Sequence, residues 1–260
     1  MNKFIRCMTA AVACAVLFTG CKGYSTVAPI ETTTAAGDSE ILNFEMPEKG
    51  EKIAVINIKD YGEIKVKLFA EEAKAAAPDP AKNAVDNFVQ LAEKKYYDEL
   101  IFHRVIPNFM NQGGDPKGNG TGGNSTWGGE FDGGVIPGLY HFSGAIAYAN
   151  SSGPSTNKSQ FYIVNTPSDY VYYGGAYDAA GTLNMYSSFE EAGINLPQNV
   201  KDKYLEVGGV PLLDGGYTVF GQTFEGMDVV RKIGEAETDE NDKPLKQIQI
   251  ESITIEEYQD

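Results

Sequence analysis

Residues 102–115 read Phe-His-Arg-Val-Ile-Pro-Asn-Phe-Met-Asn-Gln-Gly-Gly-Asp, which sets one arginine, Arg104, and one glutamine, Gln112, among the apolar side chains of Phe102, Val105, Ile106, Phe109 and Met110. A cleft wall of this composition holds a permanent cation and a neutral amide but no nucleophile. It suits chemistry driven by positioning, desolvation and one fixed charge, without covalent attack or a metal. His103 neighbours Arg104, so in a regular strand it points to the opposite face and serves structure. His141 is the only other histidine, and the three cysteines, Cys7, Cys14 and Cys21, all lie near the N-terminus. A histidine- or thiolate-based metal site is therefore not expected. Ser143 and Asp115 are present, but nothing resembles a nucleophile elbow, so a Ser-His-Asp triad is not expected either.

Glycine crowds residues 113–138, including Gly118, Gly120, Gly122, Gly123, Gly128 and Gly129. No Gly-Lys-Ser/Thr ends this stretch and no helical pattern follows, which excludes a phosphate-cradling loop. Tight turns passing close to an extended ligand or to the protein's own barrel fit better.

The elements that must position these groups are mostly strands. Apolar residues alternate over 53–58 and again over 64–68, with Asp60, Tyr61 and Gly62 as the hairpin turn between them. Further strands are expected at 100–106, 145–149, 160–165, 217–223 and 247–258. Asp79 as N-cap and Pro80 at the first helical position open a helix expected to run to about Lys94. A shorter one spans 226–233, with Val229, Val230 and Ile233 as its apolar stripe and Gly234 as its stop. Many short-spaced strands with two good helices predict a mainly β barrel or sandwich.

Before this domain, Lys3 and Arg6 precede an apolar run over 8–18, followed by Thr19, Gly20 and Cys21. The run is too short for a spanning helix, which needs roughly 20 residues, and reads as a secretory signal over 1–20. Its end resembles a bacterial lipobox, with Phe18 where that motif usually has Leu. Diacylation of Cys21 would hold the protein at the outer surface of the membrane, an extracytoplasmic and lipid-anchored location, because two acyl chains anchor stably. With Cys21 unmodified the protein would be secreted. Residues 21–48 lack apolar periodicity and read as a flexible linker, leaving 49–260 as one domain without an internal disulfide. The chain has 21 Lys and Arg against 36 Asp and Glu. That balance excludes nucleic acid as a partner, and the acidic runs at 235–242 and 251–260 are expected to be solvated surface.

Three separated blocks carry a more specific likeness. The first is 102–115 followed by Gly120-Thr-Gly-Gly123. The second is 144–163, and the third is 213–221 with 225–230. With the opening hairpin and helix they cover nearly all of 50–258 apart from one insertion, and the domain resembles a cyclophilin, a peptidyl-prolyl cis-trans isomerase of the bacterial secreted kind. The resemblance implies a closed eight-stranded antiparallel barrel capped by two helices, with the substrate groove outside it. It implies Arg104 as the catalytic cation. Phe109, Met110, Tyr162 and Leu213 would line the proline pocket, and Gln112 would bind the substrate backbone. Gly120, Ala149, Asn150, Gln160 and Tyr217 complete the implied substrate-binding set. No cofactor is implied. The expected partner is a proline-containing polypeptide among exported proteins, and the expected state is a monomer. The rival expectation is a non-catalytic binding or chaperone module using the same groove.

The sequence departs from the family at five places, one of them an extra residue within Asn150-Ser151-Ser152-Gly153, where either Ser151 or Ser152 takes the place of the family's small residue. Leu212 stands where the animal proteins have a Trp that contacts cyclosporin, so reduced sensitivity to the drug is expected. Tyr217 stands where a pocket-lining His is usual, and Tyr162 where Phe is usual. The largest departure is the insertion at 166–210, rich in tyrosine at Tyr170, Tyr172, Tyr173, Tyr177 and Tyr186, with a short helix expected at 197–206. Since Pro211 alone separates it from Leu212 and Leu213, it is expected to form a rim of the groove.

Overall fold

The computed structural model describes residues 38–178 and 182–259. The leader, Cys21 and the first part of the linker lie outside the described residues. The domain is mainly β. Strands β1 (Lys52–Ile58), β2 (Gly62–Leu68), β3 (Arg104–Ile106), β4 (Met110–Gly113), β5 (Ala145–Tyr148), β6 (Phe161–Val164), β9 (Val219–Glu225) and β10 (Ile250–Glu257) form one antiparallel sheet in the order β10-β1-β2-β9-β5-β6-β4-β3. The β1–β2 register pairs Ala54 with Val66 and Ile56 with Ile64. All four are fully buried in one core cluster, which is why alternation at these positions was legible as strand. Between the two strands Asp60 takes a φ of 65° and Gly62 one of 129°, making the expected tight turn.

The sheet curls into a barrel, but full closure overstates it. Its edges β3 and β10 meet at an isolated bridge between Ile101 and Gln249, supported by Phe102 N–H to Ile248 O at 3.0 Å and Ile250 N–H to Leu100 O at 2.8 Å. Only residues 104–106 of the strand expected over 100–106 run in a ladder.

Among the described residues four helices accompany the sheet: α1 (Ala70–Ala76), which was not expected, α2 (Ala84–Glu93), α3 (Gln198–Val207), within a residue of the short helix expected at 197–206, and α4 (Met227–Gly234). The helix expected from Pro80 begins later. Asp79 caps only a single 3-10 turn, Pro80–Lys82, and Asn83 is the cap of α2, its side chain accepting from Asp86 N–H at 2.9 Å. Gly234 closes α4 as its last residue and Glu235 is the cap. Helix α1 gave no periodic signal because it buries Ala73 alone. Residues 38–48, assigned from sequence to the linker, pack on the barrel. Leu42 enters the core, and Asn43 donates to Tyr140 O and Gln222 Oε1, both at 2.9 Å.

The insertion contributes a two-stranded hairpin of β7 (Gly175–Tyr177) and β8 (Leu183–Met185), then α3. A second small core of Phe142, Phe189, Val200 and Tyr204 joins it to the barrel. Among the described residues no helix is long and apolar enough to cross a membrane.

Candidate active site

Antiparallel register assembles the site. Arg104 on β3 pairs with Gln112 on β4, Gln112 pairs with Tyr162 on β6, and Tyr162 pairs with Ala147 on β5. Directly paired residues share a face, so Arg104, Gln112 and Tyr162 form a row across three strands. Met110, two residues before Gln112, extends the same face. The alternate residues Val105, Asn111 and Ile163 point inward, where Asn111 donates to Val230 O on α4 at 2.8 Å. The row is thus on the outside of the barrel. Phe109 precedes β4 in a turn made possible by Asn108, whose φ is 57°.

A chain of amides fixes the polar half. Gln160 Nε2 donates to Gly120 O at 3.1 Å and Gly122 O at 2.8 Å, so its Oε1 is the acceptor for Gln112 Nε2 at 2.9 Å. This sequence of donors settles the Gln112 amide orientation. Its Oε1 is then a buried acceptor without a partner among the described residues. The glycine loop carrying Gly120 is held by Asp115, which accepts from the N–H groups of Lys117, Asn119 and Gly120. Burial pushes the Asp115 carboxyl up, but these backbone donors and that of Gly122 outweigh it and hold the group below its ordinary value.

Arg104 donates through Nε to Asp242 Oδ2 at 3.2 Å. Asp242 belongs to the acidic run expected to be solvated surface. The structure corrects that expectation at this residue, because the segment folds back and Asp242 O accepts from Val105 N–H at 2.8 Å.

The apolar half is sealed: Phe109 is 1% exposed, Met110 and Tyr162 0%, and Leu213 2%. Leu213 arrives on the 3-10 turn Pro211–Leu213, and Tyr217 packs edge-on to Tyr162 with centroids 5.9 Å apart. Burial pushes the Tyr217 hydroxyl up to about 12, and Arg104 pulls the other way. From the insertion, the Tyr172 ring lies over Phe109. Ala149 gives its N–H to Gln160 O at 3.0 Å, so only its carbonyl remains to offer. The Asn150 side chain is spent locally, donating to Gly216 O at 3.1 Å and accepting from Gly153 N–H at 2.9 Å.

Beneath the pocket runs a relay that sequence reasoning missed. Asp214 Oδ1 lies 2.7 Å from His141 Nδ1, and His141 Nε2 lies 2.9 Å from the Tyr162 hydroxyl. A carboxylate only accepts, so Nδ1 carries a proton and, in the neutral ring, Nε2 accepts from Tyr162. Tyr204 of α3 donates to the other Asp214 oxygen at 2.6 Å. Burial, reinforced by the Asp214 charge, pushes the hydroxyls of Tyr162 and Tyr204 well above the ordinary tyrosine value, so both remain protonated donors. The tyrosine-rich insertion was the one signal that could have found Tyr172 and Tyr204. Among the described residues no three of His, Cys, Asp and Glu converge to hold a metal ion.

The chain matches the family model described as cyclophilin type peptidyl-prolyl cis-trans isomerase/CLD over residues 53–255. A protein of Staphylococcus aureus strain USA300, provisionally named a peptidyl-prolyl cis-trans isomerase, is 39% identical over 216 residues, 83% of this chain and 97% of that protein. A Staphylococcus epidermidis protein of the same provisional name is 37% identical over 216 residues, with the same coverage. A similar solved structure is that of a Cryptosporidium parvum cyclophilin type peptidyl-prolyl cis-trans isomerase in the presence of the dipeptide Ala-Pro. It superposes with a TM-score of 0.55 at 30% identity, covering 79% of this chain and 99% of that one.

Proposed function

This chain belongs to the cyclophilin-type peptidyl-prolyl cis-trans isomerases, and from that premise we propose that its catalytic groove is the outer-face row of Arg104, Gln112 and Tyr162 with Phe109, Met110 and Leu213. The barrier to rotation about an amide, roughly 18–20 kcal/mol, exists because the nitrogen lone pair is delocalised into the carbonyl. A guanidinium aimed at the prolyl nitrogen favours a pyramidal nitrogen with its lone pair localised. That interaction is stronger in the twisted transition state than in either planar ground state, so it accelerates rotation and not merely binding. Asp242 takes the Arg104 Nε–H, and the other donors of the guanidinium lie on its terminal nitrogens. Lysine would not replace it, since its charge is carried on a flexible point donor.

The remaining residues hold the substrate. Phe109, Met110, Tyr162 and Leu213 grip the proline ring, and Gln112 Oε1 accepts a substrate backbone N–H. Gln160 and Gly120 act through Gln112 by fixing its amide, Ala149 offers its carbonyl, and Asn150 shapes the turn beside it. The observation that carries this reading is the buried, unpartnered Gln112 Oε1 beside Arg104 in one strand register, because a buried acceptor without a protein partner calls for one, and a substrate backbone N–H bound beside Arg104 supplies it. In a protease-coupled assay on a proline tetrapeptide, Arg104→Ala is expected to lower kcat/KM by about a hundredfold, the scale of losing one transition-state charge contact. Full activity in that variant sinks the assignment. No acceleration by the wild type indicates a binding module instead.

The protein's setting is part of the same proposal. Cys21 is diacylated and tethers the isomerase to the outer face of the membrane, where its clients are exported proteins. The charged start, short apolar run and small-residue exit of residues 1–21 support this. Metabolic labelling with a radioactive fatty acid, present in the wild type and absent in Cys21→Ala, is the expected outcome.

A further inference from the structure

The β7–β8 register pairs Gly175 with Met185 and Tyr177 with Leu183. Side chains alternate along a strand, so Tyr177, Leu183 and Met185 share one face, while Ala176 and Asn184 take the other. That shared face is open: Tyr177 is 63% exposed, Leu183 and Met185 are each 43% exposed, and Leu205 of α3 nearby is 60% exposed. Met185 and Leu205 flank a cleft of about 440 Å³ that Tyr170, Tyr173 and Tyr186 also line. Large apolar side chains gathered on one face mark an interaction site, whereas scattered ones do not.

We propose that this hairpin face, with Leu205 and the cleft, is a docking shelf for the apolar flank of the polypeptide whose proline occupies the groove. The proposal rests on the groove assignment above. Continuity identifies the occupant. Within the single segment 170–174, Tyr172 lies on Phe109 in the groove, Tyr170 and Tyr173 line the cleft, and Gly174 abuts Leu212 beside the pocket. The Gly174 carbonyl accepts from Tyr186 N–H at 2.8 Å, which ties the base of the hairpin to the groove rim. A chain leaving the proline pocket on this side meets the shelf next. The four exposed side chains carry no charge, so they select apolar and aromatic flanks such as unfolded chains display. A second copy of this protein is a poor occupant: these side chains offer on the order of 400 Å², against roughly 800 Å² per partner in a stable interface.

The test compares two substrates on the full-length protein. One is a proline tetrapeptide, too short to leave the groove, and the other is an unfolded protein whose refolding is limited by proline isomerisation. Tyr177→Ser, Leu183→Ser and Met185→Ser combined are expected to leave tetrapeptide kcat/KM unchanged and to raise KM for the unfolded protein about fivefold or more, as loss of a second, linked contact does. Leu205→Ser alone is expected to act in the same direction with smaller effect. Unchanged kinetics on both substrates, or equal loss on both, overturns the proposal. So does sedimentation showing a wild-type dimer that the triple variant abolishes, since the occupant is then a second copy. Arg104→Ala, run alongside, reports on the groove separately. Its tetrapeptide activity tests that assignment, while its binding of a carboxymethylated unfolded protein, followed by anisotropy, is expected to fall about fivefold on adding the triple change through loss of the linked contact.

Discussion

The rings of Tyr172 and Phe109 lie with centroids 4.7 Å apart and planes tilted by 32°, so the inserted segment covers one wall of the proposed proline pocket. A proline ring reaching Phe109 displaces Tyr172 first. Aromatic pairs of this geometry contribute about 0.5–1.5 kcal/mol beyond their buried area. Tyr172→Ala is therefore expected to raise tetrapeptide kcat/KM by about two- to tenfold, the same energy expressed as a rate. A fall in kcat/KM would show instead that Tyr172 is a wall the substrate needs.

Asp242 orients Arg104 through a contact that is only partly shielded, its side chain being 41% exposed. Such pairs contribute up to about 1 kcal/mol. Asp242→Ala is expected to lower kcat by about two- to fivefold with KM little changed, because the guanidinium remains but wanders. Raising the salt concentration should reproduce part of the loss in the wild type and none in the variant.

Tyr162→Phe keeps the ring and deletes the hydroxyl that His141 Nε2 accepts from. A buried acceptor left without its donor costs about 1–3 kcal/mol. Chemical denaturation is expected to show that loss, while kcat/KM on a tetrapeptide stays within about threefold of wild type because the aromatic pocket survives. A large activity loss at unchanged stability would assign the hydroxyl to the substrate.

His103 is buried with neither ring nitrogen partnered among the described residues. Burial lowers its pKa to about 4, Asp115 pulling the other way and Arg104 adding to the drop. The unfolded chain, with an ordinary value near 6.5, therefore takes up this proton first as pH falls. Stability from this residue is complete above about pH 7 and declines between about 6.5 and 4, by up to about 3 kcal/mol. The melting temperature of His103→Leu should accordingly fall less than that of the wild type between pH 7.5 and 4.5. Parallel curves would exclude His103 as the titrating group.

What was legible in the sequence is local. Alternation in β1 and β2 and the turn residues Asp60 and Gly62 are written in neighbouring positions, and the helix caps are nearly so. The start of α2 was misread by four residues because Asp79 and Pro80 satisfy the same capping rules as Asn83, and only packing decides between them. The row of Arg104, Gln112 and Tyr162 followed from motif likeness, and strand register supplies its physical reason. Contacts between segments far apart left no local trace. Asp242 looked like any member of an acidic run, and Leu42 like any residue of a tether. The relay from Tyr204 through Asp214 and His141 to Tyr162 brings together three segments that no spacing rule connects.

Strand β1 pairs along its whole length with β10, and among the described residues the edge carrying Arg104 is joined to the sheet's far edge only through residues 248–250. Of the described strands, the first to leave the ribosome thus waits for the last, and this long-range closure is entropically slow. Until it happens the two edges stay apart and the strand that carries Arg104 in the proposed groove has no support on that side. Any of the protein's own proline bonds that must isomerise before the edges meet does so without help from its own groove, on the timescale of tens of seconds or more that uncatalysed isomerisation takes. A nascent molecule gains only from finished copies already in place, so refolding at higher protein concentration should become faster per molecule.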